Sequence, residues 1–305
     1  MISALGSQDE NLVGWLNVTD VLYHSWWAVF AVFLAHVPLG MLPHIGNKLW
    51  ALKEPTQRMQ FIRLAFVFAL ILAMLGFGGI MARVILGEGI DSNQALALLF
   101  IDLFPSWFAA LLGVGILAAV MSTADGLVVS SSQIVANDLY RLSFVPRYRK
   151  DLSEEEIERR SLNISRISTV VIMILCTLLA WQTLDMNVTI LVWIGVGCMM
   201  AAFAGPLILG SVWSGVTKAG AFAGLLTGGG VYIITYLGVI NPEWFGPGSL
   251  KDIALWLQRE SPNPYSCAAM GEIASIAVTV VVSKLTAPYP KEHIDALFGK
   301  SVPTD

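Results

Sequence analysis

The residues able to do chemistry cluster in one apolar run. Ser122, Thr123 and Asp125 follow the small or apolar residues Ala118 to Met121, and Ser130, Ser131 and Ser132 come shortly after. Hydroxyls and a carboxylate at membrane depth are costly unless they bind something. Asp125 lies three residues after Ser122 and shares its helix face. The competing reading is local: a membrane-helix hydroxyl commonly donates back to the carbonyl four residues earlier.

These groups need a helix from Pro105 to Tyr140. Proline suits a first helical turn, where its missing N–H is not needed. At ~1.5 Å per residue the helix rises ~50 Å, against a bilayer core of ~30 Å, so it tilts or extends into water. The composition agrees, with 56% hydrophobic and 13% charged residues, where a soluble domain carries about 25% charged. Apolar runs of about 20 residues recur, which predicts an all-α integral protein of the cell membrane, set in the lipid bilayer. Trp26, Trp27, Trp107, Trp181 and Trp213 fall near span ends, as interfacial belts require. Cys176, Cys198 and Cys267 lie in apolar runs and read as small buried hydrophobes. Residues 1–20 lack the pattern of a cleavable leader.

About seven spans are predicted, at roughly 21–42, 61–84, 105–140, 162–182, 188–213, 219–240 and 266–286. Pro38 is expected to kink or break the first. Gly195, Gly197, Gly205 and Pro206 predict a break in the fifth. Gly228, Gly229 and Gly230 predict close helix contact in the sixth. A short outer helix is expected at about 91–103, capped by Asp91 and Ser92. Ser153 and Glu156 form a capping box in the charged loop 141–161, and an interfacial helix is expected at 250–259. Lys48, Lys53, Arg58, Arg147, Lys150, Arg159, Lys284 and Lys300 lie on one side, against Arg83, Lys251 and Arg259 on the other. The positive-inside rule then places segment 1–20 outside and tail 287–305 in the cytoplasm.

The run AAVMSTADGLVVSSSQIVANDLYR resembles the signature helix of the sodium/solute symporter family, which includes bacterial proline, pantothenate, sugar and sialic acid carriers. Ala118, Ala119, Met121, Ser122, Thr123, Ser131, Ser132, Asp138 and Tyr140 carry the pattern. A weaker similarity runs from about residue 21 to about residue 215. The resemblance implies a LeuT-like fold of two inverted five-helix repeats, whose broken first helices meet near the midplane. Residues 21–213 would be the second repeat and 214–286 two peripheral spans. The missing N-terminal repeat would come from the same gene or a separate chain. The resemblance also implies Na+ as coupling ion, held by the Ala119 carbonyl and the hydroxyls of Ser122 and Thr123. Such oxygens suit a hard cation. Asp125 stands where some members place a hydroxyl for a second sodium, and Gly126 replaces another. Asp125 is open to a second cation, a proton, a cationic solute or a structural role facing the vestibule.

The Pro43-His44 pair looks like the Gln-Pro-His of the proline carriers. The aromatic residues those carriers use near substrate align with Ala35 and Leu39, so proline gains no support. His36 and Leu39 in the first span, with Trp193, Cys198 and Met199 around Gly195 and Gly197 in the fifth, are candidates to frame a solute. Packing is the alternative for each. Ser130 to Ser132, Asn137 and Asp138 line a sodium exit path or serve helix packing and capping.

The expected function is the C-terminal part of a sodium-coupled secondary transporter. It would import a small organic solute by alternating access and would be incomplete alone. The alternative is a transporter-like sensory or regulatory module, for which residues 284–305 are too short to form a signalling domain. No zinc-binding HExxH, nucleophile elbow or paired helical carboxylates point to an enzyme, and no nucleic-acid partner is expected.

Overall fold

A computed structural model describes residues 5–6, 13–14, 16–17, 21–42, 44–46, 52, 54–149 and 151–298. The expectations placed on Pro43, Lys48, Lys53, Lys150, Lys300 and most of segment 1–20 lie outside the described residues. No strand occurs among the described residues. Among the described residues, six helices are long and apolar enough to cross a membrane: Thr56–Leu86, Ser106–Tyr148, Glu154–Gln182, Val188–Val212, Lys218–Tyr236 and Pro264–Leu285. The chain is the all-α, multi-pass membrane protein expected.

The first predicted span differs. Its apolar helix, Trp26–Gly40, is shorter than a crossing needs. Helix α1, Trp26–Ala35, stops ahead of Pro38, and a 3₁₀ turn follows at Val37–Met41. Proline has no N–H to donate and crowds the preceding turn, so an α-helix does not continue through it unstrained.

The chain divides into two compact units, residues 43–187 and residues 2–42 with 188–305. In the first unit, α2 (Pro55–Ala73) and α3 (Leu75–Leu86) meet at Met74. Helix α4 is Ala95–Leu103. A Cβ added at Gly78 would stand 2.8 Å from Leu96 Cδ1, so the glycine admits close contact between α3 and α4. Asp91 and Ser92 do not cap α4. The Asp91 carboxylate accepts from the Asn93 N–H at 2.9 Å and closes a turn before the helix. Ser92 Oγ accepts from Asn187 Nδ2 at 2.8 Å.

Helix α5 (Ser106–Gln133) continues through a π-helical stretch, Ile134–Phe144, into a last turn at Val145–Tyr148. The rod measures 43 residues, well beyond the bilayer core, as its length required. Helix α6, Glu154–Gln182, begins where Ser153 Oγ accepts from the Glu156 N–H at 3.3 Å. Most of the predicted loop 141–161 is therefore helical, divided between the end of the rod and the start of α6.

In the second unit, α7 (Val188–Phe203) runs unbroken through Gly195 and Gly197. The irregularity comes later, as a π-helical stretch at Ala204–Leu209 around Pro206. Glycine only lowers helix propensity, whereas proline removes a donor and clashes. The Gly205 N–H donates to Ser275 Oγ at 3.0 Å, and Ser275 Oγ donates to the Ala202 carbonyl at 3.3 Å.

Helix α8 (Lys218–Tyr236), amphipathic α9 (Ser249–Glu260), α10 (Pro264–Leu285) and α11 (Lys291–Leu297) complete the unit. Gly220, Gly224 and Gly228 recur every fourth residue against Ser283, Thr279 and Ser275, the small-residue spacing that lets helix backbones approach. The expected glycine contact is made at Gly228: a Cβ there would collide with the Ala201 carbonyl and lie 2.8 Å from Ser275 Cβ. Gly230 faces open space. Gly228→Ala is expected to lower stability by about 1–3 kcal/mol through overpacking, and Gly230→Ala to leave it unchanged, as read from thermal melts in detergent.

Candidate functional site

The predicted sodium oxygens sit on a regular stretch of α5. Thr123 Oγ1 donates to the Ala119 carbonyl at 3.4 Å. This is the local back-bond. It also sets two hard oxygens side by side on one helix face, one turn apart. A cation near Ca2+ in size takes oxygens at about 2.4 Å. Two oxygens at that radius, seen at about a right angle, lie about 3.4 Å apart. The same arrangement therefore serves either the back-bond or a shared cation, and the hydroxyl hydrogen turns away in the second case. Ser122, Thr123 and Asp125 are all exposed.

The serine cluster one to two turns further on behaves differently. Ser130 and Ser132 are buried. Ser132 Oγ donates to the Val129 carbonyl at 2.9 Å and accepts from Ser165 Oγ of α6 at 3.5 Å. These hydroxyls join α5 to α6. Asn137 Nδ2 donates to Asp138 Oδ1 at 2.8 Å, and Ser143 Oγ to the Asp138 carbonyl at 2.7 Å. Both contacts organise the π-helical end of the rod. His44 lies beside Gly126, its Cβ 3.8 Å from where a Cβ on that glycine would be.

Two of the predicted solute-pocket residues come together in the second unit. The rings of His36 and Trp193 are 4.5 Å apart. Tyr265 completes the group, 4.3 Å from Trp193 and 6.0 Å from His36, nearly parallel to the imidazole. Tyr232 holds the helix beneath it by donating its hydroxyl to the Trp193 carbonyl at 3.2 Å. Leu39, Cys198 and Met199 are half-buried. Among the described residues they add no ring or hydrogen bond to this cluster.

Sequence reasoning passed over Tyr265, although it stands just inside a helix start made by Asn263 and Pro264. It also passed over Glu272, a lone acid in the apolar run of the last span. That acid is itself the signal, because ionisable groups in spans are rare and functional.

The sequence profile of the Sodium:solute symporter family matches residues 19–228. Over 243 residues the chain is 26% identical to the sodium/pantothenate symporter of Haemophilus influenzae, covering 78% of this chain and 48% of that protein. The Escherichia coli sodium/pantothenate symporter is 25% identical over 252 residues, covering 80% of this chain and 49% of its own length. The Staphylococcus aureus sodium/proline symporter is 30% identical over 173 residues, which are 56% of this chain and 30% of that protein. The chain thus spans about half the length of the pantothenate relatives. No solved structure matches.

Proposed function

The chain belongs to the sodium:solute symporter family, and on that premise we propose that it carries the sodium-binding half of a transporter that imports a small organic solute by alternating access. The observation that supports this most is the pair of oxygens on α5, Ala119 carbonyl and Thr123 hydroxyl, 3.4 Å apart with Ser122 beside them. Residues 21–213 form the second inverted repeat in this reading, with 214–286 as two peripheral spans. The interrupted α1 fits the broken first helix of such a repeat. Counted as an interrupted crossing, it gives seven spans, consistent with an outer N-terminal segment and a cytoplasmic tail. The first repeat, on polypeptide N-terminal to this one or on a separate chain, supplies the remaining coordination and the rest of the pocket.

The three relatives' names indicate pantothenate, for two of them, and proline as their solutes. For this chain the aromatic group of His36, Trp193 and Tyr265 is the proposed wall of the solute site. Uptake by the full-length gene product in proteoliposomes is expected to follow an inward sodium gradient. Equal uptake under a potassium gradient would overturn the reading.

Asp125 supplies negative charge near the ion. Asp125→Asn is expected to weaken apparent sodium affinity about tenfold, equivalent to about 1.4 kcal/mol. Expression should persist. Unchanged affinity and stoichiometry in sodium-dependence curves would reduce Asp125 to a structural acid.

A further inference from the structure

One carboxyl group has no place in the sodium reading. Glu272 lies well inside α10, which runs from Pro264 to Leu285. It is 2% exposed, and its Oε1 has no hydrogen-bond partner. It also lies beyond the residues matched by the family profile, 19–228.

The surroundings offer nothing to neutralise it. Helix α1 and the π-helical stretch Ala204–Leu209 bring no titratable side chain, and α7 brings only Cys198. The titratable groups of α8 are Lys218, Tyr232 and Tyr236, and those of α10 itself are Tyr265, Cys267 and Lys284. Lys284 lies three turns along the helix and Lys218 opens α8 at the same end. Among the described residues, no ion pair involves Glu272.

The stripe of α10 that continues from Glu272 is also polar and buried: Ser275, Thr279 and Ser283. Ser275 is committed to the Gly205 N–H and the Ala202 carbonyl. Ser283 Oγ accepts from the Thr217 N–H at 3.1 Å. Thr279 Oγ1, like Glu272 Oε1, is buried without a partner.

A bare carboxylate in such a place is strongly unfavourable, so something must neutralise it. A metal cation needs several oxygens and room to sit. Packing on the adjoining helix face is tight: a Cβ on the neighbouring Gly271 would come within 2.6 Å of Ala201 Cβ and 2.7 Å of the Gly228 carbonyl. Two cavities of this unit, of about 480 Å³ between Thr217 and Tyr289 and about 550 Å³ along Trp244 to Leu250, do not reach Glu272. A proton needs neither oxygens nor room.

We propose that Glu272 is an intramembrane proton site, occupied when α10 is packed on α7 and emptied when that packing opens. The device that would open it is adjacent. Ser275, one turn from Glu272, clasps the π-helical stretch around Pro206, and π-bulges recur at functional sites. When the clasp releases, water reaches the carboxyl group. The proton then leaves to bulk water and the carboxylate remains, hydrated. On closing, the carboxylate takes a proton back. Rearrangement of this unit is thereby linked to proton binding, whether or not α5 holds sodium.

Infrared difference spectroscopy on the full-length gene product in liposomes tests this. A carbonyl band of a protonated carboxyl group is expected, diminishing as pH rises and absent in Glu272→Gln. The Gln variant keeps shape and neutrality, so it should fold. Its uptake should lose a pH dependence that, for one linked proton, reaches at most about tenfold per pH unit. A band that persists in the Gln variant, or a Gln variant with the pH profile of the parent, would overturn the proposal. Should the Gln variant not accumulate, Glu272→Asp decides the matter, because it keeps the acid and moves its carbonyl band. A pH-responsive band displaced in the Asp variant supports the site, and a band left at the parental frequency refutes it. Loss of sodium coupling without change in this band would count against the sodium reading alone.

Discussion

His24→Ala in the full-length gene product is expected to cost about 1–3 kcal/mol, the usual effect of leaving a buried hydrogen-bonding group without its partner. His24 Nε2 lies 2.9 Å from Glu260 Oε1, with the two side chains 8% and 1% exposed. His24 Nδ1 donates to the Val21 carbonyl at 3.0 Å, which fixes the ring. Glu260 Oε2 accepts from Ser266 Oγ at 2.6 Å. Asn263 caps α10 through its Oδ1 and donates its Nδ2 to the Leu22 carbonyl at 3.4 Å. The chain ahead of α1 is thus held to the α9–α10 corner, 236 residues away in sequence. Without the imidazole, the Glu260 Oε1 atom is left buried and unsatisfied. Melts followed by gel filtration should shift down by several degrees. His24→Gln, which keeps a donor at that distance, should recover part of the loss. An unchanged melt in His24→Ala would mean the pair does not hold these segments together.

Replacing Ser122 and Thr123 together by alanine should weaken apparent sodium affinity more than about a hundredfold. Each hydroxyl facing a cation is worth about 1.5–3 kcal/mol, by analogy with hydrogen bonds to charged groups, and about 1.4 kcal/mol is tenfold. Two ligands lost at once exceed a hundredfold even at the low end. The helix itself should tolerate the change, because alanine is the best helix former and both side chains are exposed. Uptake at saturating solute should therefore lose its dependence on sodium concentration in the working range while protein yield holds. A double variant with the parental sodium curve would remove these residues from the site.

What the sequence made legible was local. The Ser153 cap, the end of α1 before Pro38, the amphipathic helix at 249–260 and the great length of the signature rod all follow from neighbours within a turn or two. Where one local rule met another, the stronger steric effect decided: α7 passes Gly195 and Gly197 and changes only at Pro206. The serines of the signature run looked alike on paper. Packing separates them, because Ser130 and Ser132 are buried, Ser132 meeting Ser165 of α6, while Ser122 is exposed. The His24–Glu260 pair and the partnership of His36 with Tyr265 join residues more than 200 positions apart. No periodicity or spacing rule reaches that far. The Ala119–Thr123 oxygen pair was readable, because both atoms belong to one turn of one helix.

Equilibrium binding of ²²Na+ to the purified full-length protein addresses the sodium site without depending on solute or transport. The account predicts saturable binding that excess potassium does not displace, that Ser132→Ala retains and that the Ser122→Ala/Thr123→Ala protein loses. Equal binding by the parent and that double variant would contradict it.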